Sequence, residues 1–356
     1  MQKYNFSAGP SVLPKPVIEQ IKSELSSYNG TGYSIMELSH RGKDYIKVHN
    51  QTKQLIRELL FVPESFEILF LQGGATGQFS AVPLNLLSKF CRAAYVDSGQ
   101  WAKKAIKEYL IYSDNIEIKE SPDNYKSFPL SKDWGFSKDL DYIHVTHNET
   151  INGIEMFEDP KLNISLIADM SSNIFSRSID FNSFDLIYAG AQKNFGPAGL
   201  TLVIINKKLI TDRPKASSIM NYKKNCENDS MLNTPPTFCV YVASLVLEWI
   251  KSLGGVSTME KNSKEKSTLL YEYIDSSNFY MNSIESSSRS RMNVPFNISN
   301  ESLTDSFLSE AYNNGLFELK GHRSVGGFRA SIYNAMPIEG VRVLIDFMKE
   351  FERKYG

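Results

Sequence analysis

Tyr188-Ala189-Gly190-Ala191-Gln192-Lys193-Asn194-Phe195-Gly196-Pro197-Ala198-Gly199 is the stretch on which the fold turns. An apolar run, Asp185 to Ala189, ends in a turn of small residues that carries a lysine, and a second apolar run, Leu200 to Ile205, follows at once. Continuous apolar runs of this length, without polar alternation, suit strands covered on both faces, as in a largely parallel α/β sheet. A lysine in a loop is ordinarily solvated. Lys193 lies instead among Ala, Gly, Phe and Pro, where desolvation would depress its pKa and make the amine nucleophilic.

Further strand-length runs lie upstream: Ile68-Leu69-Phe70-Leu71, Ala93-Ala94-Tyr95-Val96, Ile143-His144-Val145 and Ile164 to Ala168. Helical patterns over Lys43 to Leu60 and Trp101 to Leu110 alternate with them, as an α/β layering requires. Polar residues follow several strand ends, where open α/β sheets bind ligands. Gln72-Gly73-Gly74-Ala75-Thr76-Gly77-Gln78 reads either as a plain tight turn or as a backbone cradle for an anion, with a helix starting near Thr76. No Lys-Ser or Lys-Thr follows its glycines, which argues against a nucleoside triphosphate. Asp169, directly after a strand, is either a helix cap or a carboxylate set beneath a ring nitrogen. Trp101 is either a core or interface aromatic or a platform for a planar ring.

The chain has 356 residues, enough for about two domains at roughly 150 residues each. After Leu253-Gly254-Gly255 the texture changes to a helix over Val256 to Tyr273, alternating segments such as Arg291 to Phe296, and a last helix from Ile338 to Tyr355. The expected organisation is a large domain over 16–254 and a small α+β domain of 1–15 with 255–356. Asp114 to Lys138 reads as loop with short extended pieces, and the Ser-rich Ser283 to Ser290 as a surface turn. A formal net charge of −1 gives no global pull toward nucleic acid or acidic membranes. No apolar run has signal-peptide or membrane-span length. Cys91, Cys226 and Cys239 suggest neither a disulfide framework nor a metal site, so a reducing cytoplasm is the expected compartment. The five histidines show no metal-ligand spacing, His144 and His147 read as structural, and no metal is expected.

In order along the chain, these motifs resemble the pyridoxal-phosphate (PLP) enzymes of fold type I, class V, and at closer range the phosphoserine aminotransferase family. The resemblance spans nearly the whole sequence. It rests on Asn5 to Pro10, Ser39 to Gly42, Gly73 to Phe79, His147 to Gly153, Ala191 to Gly199, Asn233 to Phe238 and Gly321 to Ser331. Ser11, Ser98 and Ala102 depart from the family's Ala, Thr and Ser, at positions that carry neither a proton nor a charge.

The resemblance implies a large domain with a mostly parallel mixed sheet flanked by helices, plus the smaller C-terminal domain. It makes Lys193 the residue bound to PLP as a Schiff base and the carrier of the Cα proton, and Asp169 the partner of the ring nitrogen. Trp101 would stack on the ring, Thr150 would lie by its oxygen, and Ala75, Thr76 and Gln192 would hold the phosphate. Asn233 and Thr234 would reach that phosphate from the second subunit of a homodimer with shared sites. Arg329 would pair with the substrate α-carboxylate. His40 and Arg41 from the neighbouring subunit, with His322 and Arg323, would hold the distal phosphate or γ-carboxylate, a task suited to the planar fork of arginine. The implied reaction is reversible transamination between O-phospho-L-serine and 2-oxoglutarate, giving 3-phosphooxypyruvate and L-glutamate, with 4-phosphooxy-L-threonine as a further family substrate. A cysteine desulfurase, needing a reactive thiol for which Cys226 is the candidate, another fold-type-I aminotransferase and a non-catalytic PLP-fold protein are the competing readings.

Overall fold

A computed structural model describes residues 2–213 and 215–356. Seven strands form the central sheet: β1 (Phe66–Leu71), β2 (Ala93–Asp97), β3 (Ile116–Glu120), β4 (Tyr142–Thr146), β5 (Leu166–Asp169), β6 (Leu186–Gly190) and β7 (Thr201–Asn206). Their order is β1-β7-β6-β5-β4-β2-β3. All neighbours run parallel except β7, which is antiparallel to both β1 and β6. The sheet is therefore mixed but mostly parallel, as expected. Thr146 stands beside Asp169, Asp169 beside Tyr188, and Thr201 beside both Gly190 and Leu71. The carboxyl ends of the parallel strands thus share one edge, and the residues that follow them converge there.

Both faces are covered because successive side chains point to opposite sides. Ile68 and Phe70 enter one apolar layer with helices α1 (Lys15–Glu24), α2 (Lys43–Leu60) and α6 (Thr237–Ser252). Leu69 and Leu71 enter the other, with α3 (Gly74–Leu86) and α4 (Gln100–Tyr109). Helix α2 buries Tyr45, Val48, Thr52, Leu55, Ile56 and Leu59, the stripe that helical periodicity requires, and it ends at Phe61 in a left-handed conformation.

A second core follows along the chain. Helix α7 (Gly255–Ser276), the strands β8 (Tyr280–Met281), β9 (Asn293–Ile298) and β10 (Phe328–Ser331), α8 (Thr304–Asn313) and α9 (Ile338–Tyr355) enclose Phe296, Phe307, Phe328 and Phe351. Tyr4 and Phe6 join this core, and the short strand Tyr4–Asn5 pairs in parallel with Leu316–Phe317.

Two expectations need correction. The helix after the glycine turn starts at Gly74, not near Thr76, because Gly73 takes a positive φ of 96° and the Gly74 N–H is held by Thr201 Oγ1 at 2.8 Å. The polar region 114–138 is loop with a short extended piece, as expected, the edge strand β3, whose half-exposed residues give no continuous apolar signal. Ser283 to Ser290 is only partly a surface turn. Ser288 and Ser290 are buried, and the Ser290 hydroxyl donates to Asn148 Oδ1 at 2.6 Å.

One buried ion pair ties the two cores. The Arg291 guanidinium donates to Glu155 Oε1 at 2.6 Å and Oε2 at 3.2 Å, and both side chains are almost wholly buried. Burial alone would raise the Glu155 carboxyl, but the Arg291 charge and its hydrogen bonds outweigh this and hold it below the ordinary value. Removing one partner of such a pair strands the other charge, so Arg291→Met is expected to lower unfolding stability by about 3–5 kcal/mol, read from the denaturant midpoint. The pair stabilises fully above the carboxyl's unfolded pKa, and its contribution is lost as pH falls through the depressed folded value. Wild-type protein should approach the variant's stability in acid.

Candidate active site

Lys193 sits three residues beyond the end of β6, half-buried in a turn whose floor is made by its neighbours. Ser11 clamps this turn from the N-terminal segment. Its hydroxyl donates to the Lys193 carbonyl at 2.5 Å and its N–H to the Gln192 carbonyl at 2.9 Å. Gly9 is close-packed on the same residue: a Cβ there would stand 3.4 Å from Lys193 Cγ. Loss of hydration lowers the Lys193 pKa, against the pull of the Asp169 and Glu149 carboxylates, while Arg329 and Lys104 push it further down.

Asp169 ends β5, the strand beside β6, and is buried. Burial raises its carboxyl, opposed by the Lys193 charge and by the Ser171 N–H that donates to Oδ1 at 2.9 Å. Trp101, in the first turn of α4, places its ring centroid 5.3 Å from Lys193 Nζ, and its indole N–H donates to Thr150 Oγ1 at 2.8 Å. The buried Glu149 carboxylate fixes that helix start by accepting from the N–H groups of Trp101 (3.0 Å) and Ala102 (2.8 Å). A Cβ at Gly99 would meet Glu149 and Asn152 at 2.7 Å, so only glycine fits there. Desolvation pushes the Glu149 carboxyl up to about 7, despite the two backbone donors.

The glycine turn opens onto the same edge. Thr201, whose hydroxyl holds Gly74, is registered with Gly190 before the Lys193 turn and with Leu71 before the glycine turn. Ala75 and Thr76 occupy the first turn of α3, where backbone N–H groups have no intrahelical acceptor and favour an anion. Gln192 folds back over Gly190, where a Cβ would come within 2.6 Å of its carboxamide.

Cations line the mouth. Arg329, half-buried on β10, donates to the Thr150 carbonyl at 3.2 Å, and burial lowers its pKa. His322 is lowered by desolvation and then by the charges of Arg329, Lys104 and Arg323, which places these four groups in one neighbourhood. Lys104 is absent from the sequence-based candidates. Its ammonium lies 3.9 Å from the Trp101 ring centroid, and its position three residues after Trp101 on one helix face was the available signal.

A single chain does not bring every candidate together. His40 and Arg41 precede α2; Arg41 is exposed, and among the described residues its guanidinium makes no ion pair or hydrogen bond. Asn233 and Thr234 are also exposed, and the Thr234 carbonyl accepts from Gln72 Nε2 at 3.2 Å. His144 and Cys226, also weighed from sequence, have other surroundings. His144 is buried, bonded to the Tyr188 hydroxyl at 2.8 Å and pushed down to about 3. Cys226 lies on the short helix α5 (Tyr222–Glu227), where burial pushes its thiol up to about 12. That is the reverse of what a sulfur-accepting nucleophile needs.

A desolvated amine just beyond one strand, a buried carboxylate at the end of its neighbour and an indole ring 5.3 Å from the amine share the carboxyl edge of a seven-stranded sheet. The family model described as aminotransferase class-V matches residues 3–344. A phosphoserine aminotransferase of Nitrosomonas europaea is 48% identical over 99% of each chain. The solved phosphoserine aminotransferase of Bacillus circulans subsp. alkalophilus superposes with a TM-score of 0.97 at 41% identity, covering 100% of this chain and 99% of its own. The PLP-bound enzyme of Trichomonas vaginalis does so with a TM-score of 0.93 at 39% identity, over 98% and 100%. The chain belongs to the phosphoserine aminotransferase family.

The residues present fit pyridoxal phosphate. An amine with lowered pKa suits an aldehyde, a buried carboxylate suits a ring nitrogen, an indole suits the ring face, and helix-start N–H groups suit the phosphate.

Proposed function

We propose that this chain catalyses reversible transamination of O-phospho-L-serine with 2-oxoglutarate, yielding 3-phosphooxypyruvate and L-glutamate, and that it also accepts 4-phosphooxy-L-threonine. The observation that carries the reading is the placement of Asp169 at the end of one strand and Lys193 just beyond its neighbour, with the Trp101 ring 5.3 Å from the amine. PLP, when bound, supplies an electron sink for negative charge developing at the substrate Cα.

The chain's own groups do the rest. Lys193 would hold the cofactor, and its amine would carry the proton taken from the substrate Cα. Asp169 would keep the ring nitrogen protonated. Trp101, set by Glu149 and Thr150, would offer its indole to the ring. Ala75, Thr76 and Gln192 bind the phosphate, joined by Asn233 and Thr234 of a second copy. Arg329 orients the α-carboxylate. His322 and Arg323, with His40 and Arg41 from the second copy, bind the distal anion. Each hydrogen bond to such a charged group contributes roughly 1.5–3 kcal/mol, so two or three suffice to reject substrates lacking a distal anion.

The reading includes a homodimer with shared sites, a large unit over 16–254 and a small unit of 1–15 with 255–356. The separate apolar core that takes in Tyr4 and Phe6 supports that division. A cytoplasmic location is part of it, supported by three unpaired cysteines. Among the described residues no single helix is long and apolar enough to cross a membrane. Borohydride reduction followed by peptide mapping tests the assignment directly. The pyridoxyl label is expected on Lys193 alone, and a label on any other residue would overturn it.

A further inference from the structure

Lys266 projects from α7 and is only 2% exposed. Its amino group donates to three backbone carbonyls, Ile332 at 2.9 Å, Tyr333 at 2.7 Å and Met336 at 2.9 Å. An ammonium has three N–H donors and no acceptor. The three oxygens therefore match the charged form completely, whereas a neutral amine would present its lone pair to one of them. Buried charges are normally paired with an opposite charge. Here the cavity beside the amine is lined by Trp249, Leu253, Met259 and Asn262, and Glu265, exposed on Lys266's own helix, is the one acid among its lining residues. Burial pushes the amine down to about 7, and the carbonyl dipoles work against that loss of charge.

All three carbonyls belong to one turn, which joins β10, the strand of Arg329, to α9. That turn touches the Lys193 loop from two directions. The Asn334 N–H donates to Asn194 Oδ1 at 3.1 Å, and Asn194, next to Lys193, donates in turn to the Ser172 carbonyl at 2.9 Å in the loop after Asp169. The Asn334 carboxamide donates to the Phe175 carbonyl at 3.0 Å. On the other side the Tyr333 hydroxyl donates to the Ala8 carbonyl at 2.7 Å, and Ala8 precedes the Gly9 that rests on the Lys193 side chain. Without a fixed turn neither contact has a fixed geometry.

We infer that Lys266 is a positioning residue for Lys193: its ammonium pins the 332–336 turn, which in turn holds Asn194 and the Ala8–Gly9 segment against the attachment lysine. The inference rests on the assignment of Lys193 above and assigns a task to a cation that the reaction itself does not use.

The test is a pH titration of the near-visible absorbance of the holoenzyme, run beside steady-state kinetics with glutamate. In Lys266→Met the absorbance midpoint is expected to shift by about one pH unit, and kcat to fall about tenfold with KM changed less than about twofold, the size expected for lost charge-assisted contacts. Asn194→Ala, which removes the side-chain acceptor of the Asn334 N–H and so severs the link nearer the site, is expected to shift the midpoint in the same direction. A folded Lys266→Met protein with the wild-type midpoint overturns the inference even if its unfolding midpoint drops, since a merely structural lysine would behave that way. If Lys266→Met does not fold, an unshifted midpoint in Asn194→Ala overturns it. Wild-type protein lacking the absorbance altogether would instead defeat the Lys193 assignment, and the inference with it.

Discussion

Lys193→Ala protein is expected to lose kcat by about 10⁴-fold, the upper end of what one positioned acid–base group contributes. The amine sits where hydration is lost, so it sheds its proton at lower pH than an exposed lysine. Asp169 and Glu149 limit that shift, while Arg329 and Lys104 extend it, so the working pKa is set by the balance of four charges around one nitrogen. Alanine removes the amine that lies 5.3 Å from the Trp101 ring centroid and whose charge acts on the Asp169 carboxyl. The linkage to stability has a definite sign. Because the folded pKa is depressed, the unfolded chain binds more protons between that value and the ordinary lysine value. The stability of cofactor-free protein should therefore rise with pH through this window, and that slope should be smaller in Lys193→Ala, where Lys266 still contributes to it. Single-turnover kinetics with glutamate and pH-dependent denaturation measure the two effects. A variant that turns over at the wild-type rate would refute the role given to Lys193.

The parallel part of the fold was legible because its strands are short, continuous apolar runs, and runs such as Ala93 to Val96 have few other stable homes. Helix α2 was legible because its stripe repeats cleanly over eighteen residues. Helix α6 gave no such signal: Phe238-Cys239-Val240-Tyr241-Val242 is apolar all round, which is what a helix wedged against α2 and the sheet requires. The site was legible where motifs are local, as in the Lys193 turn and at Asp169. It was opaque where partners come from distant segments. Nothing in Lys264-Glu265-Lys266 distinguishes the buried lysine from its solvated neighbour, since its three carbonyls lie some seventy positions downstream. Glu149 could be quoted as part of a motif, but its task of holding the N-terminus of α4 emerges only from the fold.

Mixing Arg41→Ala subunits with Lys193→Ala subunits should restore activity that neither variant has alone. Arg41→Ala is expected to lower kcat/KM for phosphoserine by about 10- to 100-fold, the worth of one or two charge-assisted hydrogen bonds, while leaving PLP affinity unchanged. An arginine on the rim of its own cleft would be seen beside Lys104, His322 or Arg329. Arg41 instead lies exposed ahead of α2, with no ion pair among the described residues and no contact to that cleft. A guanidinium left free in this way, one residue after His40, suits a site completed by a second copy across a two-fold axis, where each surface serves its partner. In a hybrid dimer one site would combine the intact Lys193 of the first subunit with the intact Arg41 of the second, and the other site would lack both. Random exchange makes half of all dimers hybrids, so about one quarter of the wild-type activity should return in a two-site dimer. Recovery no greater than the sum of the separate variants would show that Arg41 serves its own subunit or none, and the shared site would have to be abandoned.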